Sequence, residues 1–409
     1  MTASSADTSA RTLASRSGLS CEINANGSLR RLSCGDIALN LFVGNEVEGG
    51  PCNLYLRRHG SKIEYVELLG PRSPTRLRRD SSRNTIVGVG EWQGIRYTLS
   101  FVLAEGAPAW FWHLSLKNAG KVTEDLDLIY AQDLALAPYG AVRTNEYYVS
   151  QYVDHTALTH ATHGYVVASR QNQAASGRNP WCVIGSLRRA QSYATDAMQL
   201  HGLASRAGEP PVGVINGLPG RRLQHEHSMV VIQDESLRLQ PGARQTLGFF
   251  GCYVPDHPAA TEPTDLEFVE RTLGLPEAAP PAVEVQSVEV AAVASLFSAN
   301  RLLATVDLDT REHDELFGTG RRHEEFDERG QLLSFFHGAD RHVVLRAKES
   351  RVQRPHGHLL RTGRHATPDE TALTSTVWMS GVFHSMLTQG HVSFNRLLST
   401  VHGYVGLFQ

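Results

Sequence analysis

The sequence predicts a mostly β protein, a large antiparallel β-sandwich with few helices. Three observations carry that expectation. The 409 residues include 36 glycines and 18 prolines, so turns are frequent, which suits short strands better than long helices. Apolar segments of strand length recur at close spacing from about Leu29 to Val254. Two of them flank Gln93-Gly94, a two-residue link with glycine in second place, as a tight hairpin turn requires.

Taken in order, residues 1–18 are polar, lack an apolar signal core, and are expected to be disordered. Residues 19–274 are expected to form the first part of the sandwich. Its clearest strands are Thr85–Trp92, Ile95–Leu103, Ala109–Lys117 and Leu126–Leu136, with a turn around Asn118-Ala-Gly120. One amphipathic helix is expected over Thr264–Leu273, capped by Thr264 with Glu267 completing a capping box, and ended by Gly274. Residues 275–290 read as a Pro/Ala-rich linker. Residues 291–409 read as a second part of the sandwich that rejoins the first, with a hairpin at Leu332–His337 and His342–Arg346. Between them Arg311–Arg329 is densely charged in both signs and is expected to be a solvated loop.

Composition excludes several classes of function. With 39 basic and 42 acidic residues the net charge is −3, which offers no case for nucleic acid or an anionic membrane. No apolar run approaches the ~18 residues of a membrane-spanning helix. The five cysteines are scattered and never paired as CxxC, which argues against a disulfide framework or a thiolate zinc site and for a cytoplasmic setting.

Two clusters can carry chemistry. Thr144–His155 is crowded with tyrosines, amides and acids, and Tyr147, Tyr148, Gln151, Tyr152, Asp154 and His155 supply flat apolar faces beside planar polar groups. An uncharged sugar needs that combination. Arg170, Gln171 and Asn172 with Trp181 form a polar rim beside an aromatic ring. Each cluster has a plainer reading: a loop whose polar groups bond its own backbone, and a tryptophan in the core. The pairs His225/His227, His356/His358 and His160/His163 invite a metal, and in the first two the i and i+2 side chains would share a face of a strand, but no third ligand is evident. There is no Gly-rich phosphate loop, G-x-S-x-G elbow or H-E-x-x-H motif.

The block Thr144–His155, with Ala168-Ser-Arg-Gln-Asn-Gln173, Asn179-Pro-Trp181 and Gly381-Val-Phe-His-Ser-Met-Leu-Thr-Gln-Gly-His391, resembles the N-terminal region of 1,2-β-oligoglucan phosphorylases. These are inverting enzymes of glycoside hydrolase family 94, the cellobiose-phosphorylase type, and cyclic β-1,2-glucan synthases carry a similar region. The likeness runs from about Leu19 to the end of the chain. It implies an N-terminal supersandwich similar to that of galactose mutarotase, then a helical linker and an (α/α)6 catalytic barrel. The implied reaction is phosphorolysis of β-1,2-glucan to α-glucose 1-phosphate, with an Asp as general acid, inorganic phosphate as co-substrate, and no metal or organic cofactor.

Family enzymes are more than twice this long, and their acid and phosphate-binding groups lie beyond the segment that Gln409 closes. The resemblance therefore implies a carbohydrate-binding module without catalytic residues of its own, inactive alone. Its expected partners are a β-1,2-linked glucooligosaccharide, the barrel or a downstream chain, and a second copy in a homodimer. Consistent with this, no Asp or Glu occurs from Thr371 to Gln409. Tyr147, Gln151, Asp154, His155, Arg170, Gln171, Asn172, Trp181, Trp378, His384, Gln389 and His391 are expected to contact sugar or a neighbouring domain. Two other readings stay open: a stand-alone sugar epimerase using His155, His160 or His163 with Asp154, and a structural or interaction protein without ligand.

Overall fold

A computed structural model describes residues 11–45, 49–78, 82–203, 209–223 and 227–282, and beyond them 305–307, 311, 315, 320–326, 332–337, 341–344 and 358–360. The chain divides into two compact units, Met1–Leu296 and Phe297–Gln409.

The first unit begins with β1 (Arg11–Ala14), β2 (Leu19–Ile23), β3 (Leu29–Cys34) and β4 (Ile37–Ala38). Then come β5 (Asn53–His59), β6 (Ile63–Glu67), β7 (Arg76–Leu77), β8 (Thr85–Trp92), β9 (Ile95–Leu103), β10 (Ala109–Asn118), β11 (Glu124–Asp133) and β12 (Ala137–Pro138). Two short helices follow, α1 (Tyr139–Thr144) and α2 (Glu146–Gln151), leading into β13 (Val153–His160), β14 (Gly164–Gln171), β15 (Trp181–Ser186) and β16 (Ala190–Asp196). Helices α3 (Ala197–His201) and α4 (Val212–Asn216) precede β17 (Ser228–Asp234), β18 (Leu237–Leu239) and β19 (Arg244–Val254), and α5 (Leu266–Leu273) follows.

These strands make a five-stranded sheet in the order β1-β2-β3-β4-β12, and a 14-stranded sheet in the order β6-β5-β11-β17-β16-β14-β15-β19-β10-β9-β8-β7, with β13 on β14 and β18 on β11. The expected mostly β, antiparallel architecture is what forms. Every described pairing is antiparallel except the single parallel contact Gly164↔Ala190 between β14 and β16.

The hairpin of β8 and β9 turns at Gln93 (φ 46°) and Gly94 (φ 83°). Positive φ at both positions matches the right-handed twist of the flanking strands.

The core follows from strand alternation. On β10, Trp110, Trp112, Leu114 and Leu116 face the small sheet and pack with Leu19, Cys21, Leu32, Leu54 and Phe101. Ala109 and Phe111 face the other way, against Trp181, Val183, Phe250 and Val269. A central strand buried on both faces is apolar nearly throughout, so period-two patterning is lost there.

Elsewhere the large sheet is covered by α3 and α4, whose Leu200 and Val214 pack with Tyr55, Ile129 and Val231. Beneath them Arg57 and Asp127 form a doubly hydrogen-bonded ion pair with neither side chain more than 2% exposed. Gln233 Nε2 donates to the same carboxylate at 2.9 Å.

The second unit is described only in part. β20 (Thr305–Asp307) pairs with β24 (His358–Leu360), and β21 (Arg321–Phe326), β22 (Leu332–His337) and β23 (Arg341–Val344) make a three-stranded antiparallel sheet. The expected hairpin thus forms, in the register Ser334↔Val344 to His337↔Arg341.

Several expectations need correction. Residues 11–18, expected to be disordered, form β1 and the turn into β2, with Arg11 paired to Ile23 and Ala14 to Ser20. Residues 1–10 lie outside the described residues. The helix starts later than expected: Pro263–Asp265 is a 3-10 turn, and its capping box joins Glu262 and Asp265 rather than Thr264 and Glu267. The start of the linker is packed, not free. Pro276–Ala278 forms a 3-10 turn, Leu275 and Ala278 rest on the apolar face, and the Glu277 carbonyl bonds His113 Nε2 at 2.9 Å. Within Arg311–Arg329, Arg321–Phe326 is a strand, paired with β22. The segment after Thr144 is the helix α2, not a loop.

Candidate functional site

α2 is the site's platform. Asn145 caps it, its side chain accepting from Tyr148 N at 3.0 Å, which satisfies one of the free N–H groups of the first turn. At 100° per residue, Tyr147, Gln151, Tyr148 and Tyr152 fall within one arc of the helix surface, and Val149 and Ser150 fall opposite. The exposures agree: Tyr147 is 47%, Tyr148 46% and Tyr152 37% exposed, while Val149 and Ser150 are buried. The Tyr148 and Tyr152 rings meet edge to face at 5.1 Å, with their hydroxyls 3.1 Å apart. Tyr147 meets Phe42 edge to face at 6.0 Å, and Phe42 in turn meets His227 at 4.8 Å.

The buried side of α2 is held at three points. Ser228 N donates to Ser150 Oγ at 2.6 Å, Gln171 Nε2 donates to Val149 O at 3.2 Å, and Asn172 N donates to Tyr152 O at 2.8 Å. His155 lies below this anchor with Nδ1 2.8 Å from Ser169 Oγ and Nε2 3.0 Å from Ser228 Oγ. Burial, and then the nearby positive charge of Arg222, pushes His155 down to about 3, so its ring is neutral over the working range of pH.

The structure thus brings one group of sequence-predicted residues together and divides it by depth. Tyr147, Gln151 and Asn172 are exposed. Asp154 is half-buried and ion-paired to Arg222. Arg170 spends all three nitrogens on neighbours, donating to His257 O, Pro258 O and Asn172 Oδ1. His155, Gln171 and Trp181 are internal. Trp181 stacks on His257 at 5.2 Å and donates from Nε1 to Thr261 Oγ1 at 2.9 Å, the core placement that was its plainer reading. Trp378, His384, Gln389 and His391 lie outside the described residues.

Sequence reading missed Phe42, Arg222, Ser169 and Ser228, which reach this region from distant strands and loops. Only α2 itself carried a local signal, Asn145 followed by Glu146, a helix start.

Among the histidine pairs, His160 Nδ1 accepts from the Thr162 and His163 amides while Nε2 meets Glu270 Oε1 at 2.9 Å. Both ring nitrogens are engaged, and no group of three or more His, Cys, Asp or Glu suited to a metal occurs among the described residues. His225 and His356 lie outside those residues. No helix among them is long and apolar enough to cross a membrane.

A family model described as the SOGP N-terminal domain matches residues 22–251, more than half of the chain and all of the tyrosine platform. The chain belongs to this family. A second model, the glycoside phosphorylase supersandwich domain, matches residues 319–409. The SOGP-type chain is 29% identical over 405 residues to the 1,2-beta-oligoglucan phosphorylase of Listeria innocua serovar 6a, covering 96% of this chain and 34% of the relative. It therefore spans about a third of the length of that curated relative.

Among solved structures it is similar to a galactose mutarotase related enzyme from Lactobacillus acidophilus, at 8% identity and TM-score 0.35, over 62% of this chain and 100% of that one. A bacterial glucoamylase complexed with acarbose matches at 10% identity and TM-score 0.37, over 66% and 36%.

Proposed function

We propose that this chain is the sugar-facing, non-catalytic N-terminal part of a phosphorylase that acts on β-1,2-linked glucooligosaccharides, and that it does not turn over alone. In the whole enzyme inorganic phosphate is the co-substrate, α-glucose 1-phosphate the product, and neither metal nor organic cofactor takes part. The supersandwich braces the catalytic barrel and makes a homodimer contact, in the cytoplasm. One observation carries the reading: the two domain models follow one another along a chain that matches a β-oligoglucan phosphorylase over 96% of its length.

The local chemistry supports it. Phosphorolysis needs a carboxylic acid free to reach the leaving oxygen. Beside the platform, Asp154 is bound to Arg222. A stand-alone epimerase would need a histidine and a carboxylate converging in a cleft. Asp154 and His155 are successive strand residues and face opposite ways, and His155 is enclosed by two serine hydroxyls.

The test is to incubate the purified chain with phosphate and β-1,2-glucooligosaccharides and measure glucose 1-phosphate. No release is expected. Turnover by this chain alone would overturn the reading.

A further inference from the structure

Exposed aromatic rings in a cluster are a cost that a soluble surface usually avoids, and three tyrosines share one face of the two-turn helix α2. They are not loose side chains. Tyr148 and Tyr152 hold each other edge to face with linked hydroxyls, Tyr147 is braced by Phe42, and the helix below is fixed to β14 and β17 by the hydrogen bonds from Gln171 and Ser228. A surface already ordered in this way loses little conformational freedom on binding.

Its charge is also balanced. Asp154 is neutralised by Arg222, and the guanidinium of Arg170 is spent on two carbonyls and the Asn172 amide oxygen. What remains presented outward is aromatic rings, phenolic hydroxyls and the exposed amides Gln151 and Asn172. Among the described residues of α2 the one acid, Glu146, falls on the side of the helix opposite the rings. Such a surface suits a neutral ligand with apolar C–H faces and many hydroxyls.

We propose that the α2 face, Tyr147, Tyr148, Gln151 and Tyr152 with Asn172 beside it, is a glycan platform that holds an uncharged β-linked glucooligosaccharide, its rings against the tyrosines and its hydroxyls on the amides. The choice of a glucan as occupant rests on the phosphorylase reading. That these residues form one ordered outward face rests on the geometry. A protein surface, either a catalytic domain or a second copy of the chain, is the competing occupant, since protein interfaces are also rich in tyrosine; the exposed amides beside the rings, which can each donate to and accept from hydroxyls, favour the sugar.

The experiment is calorimetric titration of the full chain with sophorose and longer β-1,2-glucooligosaccharides, for wild type, Tyr148→Ala, Tyr152→Ala and Tyr148→Phe. Sedimentation without sugar and a urea midpoint are measured for each. Because these side chains are half-exposed and lie outside the core, all variants should fold, with the alanine midpoints lowered only slightly. The expected result is that either alanine variant weakens binding about tenfold or more, that Tyr148→Phe loses less, and that sedimentation is unchanged. Wild-type binding that survives both alanine substitutions overturns the platform while leaving the phosphorylase reading intact. Absence of binding to any of these sugars overturns the platform as well, and the turnover assay then decides the wider reading on its own. Alanine variants that alter self-association but not sugar affinity identify the face as a protein contact and equally overturn it.

Discussion

His155 and Ser228 meet at 3.0 Å beneath α2, and the Ser228 amide continues the chain of bonds to Ser150 on the helix. A buried, neutral imidazole therefore lies directly under the tyrosine platform, linking β13 to β17 and, through Ser169, to β14.

This arrangement makes stability depend on acid in a defined direction. His155 has an ordinary value of 6.5 and is pushed down to about 3 in the folded protein. Its contribution is complete above 6.5 and is lost as pH falls toward 3, because only the unfolded chain takes up the proton. The slope is about 1.4 kcal/mol per pH unit within that window. Asp133 and Asp234, raised by burial to about 6 and about 7, act in the opposite sense, losing stability as pH rises from 3.8. The informative quantity is therefore the difference between wild type and His155→Gln in urea denaturation from pH 7 to 4. Wild type should lose stability more steeply on acidification; parallel profiles would show that His155 takes up its proton in the folded protein as readily as in the unfolded chain.

The Arg57–Asp127 pair yields a second expectation. Asp127→Ala leaves a buried guanidinium without its carboxylate and should cost about 3–5 kcal/mol. Arg57→Met together with Asp127→Leu should cost less than the sum of the single changes, since no charge is then stranded. A double-mutant cycle by chemical denaturation checks this, and additivity of the two single effects would count against it.

Trp181 ties the sheet to the segment before α5, through its stack on His257 and its bond to Thr261, while His257 Nε2 meets Asp265 at 2.9 Å. Trp181→Ala should cost about 3–5 kcal/mol by leaving a cavity. Trp181→Phe keeps a ring but loses the indole N–H, so it should cost less. Proteolysis within 255–278 should rise in the alanine variant, and an unchanged digestion pattern would mean that this segment is held by α5 alone.

The cap on α2 offers a milder probe. Asn145→Ala removes the acceptor for Tyr148 N and should cost about 1 kcal/mol. It should also weaken glycan binding at the platform without touching a ring. Binding equal to wild type would show that the tertiary anchors hold the helix without its cap.

Much of the strand framework was legible along the chain. The β8–β9 hairpin was readable because its turn chemistry and its period-two flanks are both local, and β22–β23 for the same reason. β1 was missed because four strand residues without a partner look like any polar terminus, and only pairing with β2 makes them a strand. The cap of the α5 region was misplaced by two residues: Thr264 is the residue type that favours a cap, but the backbone turns at Glu262, whose amide donates to Asp265.

For the site, residue types were informative and depth was not. Tyr147, Gln151, His155, Gln171 and Trp181 all stand in blocks of similar composition. The outer residues of that set form a surface, and the inner ones hold it in place. No local pattern separates them, because depth depends on which strand or helix lies alongside.

The sequence by itself determined the mostly β architecture, the hairpins, the recurring apolar strand segments and the polyol-compatible composition around Thr144–His155. These are properties of short-range periodicity and side-chain chemistry. Only the tertiary structure decided that Asp154 is neutralised by Arg222, that His155 is buried between hydroxyls, and that three tyrosines share one ordered face. Those outcomes depend on groups separated by tens of residues, and charge compensation, desolvation and ring packing arise only once folding brings the groups together.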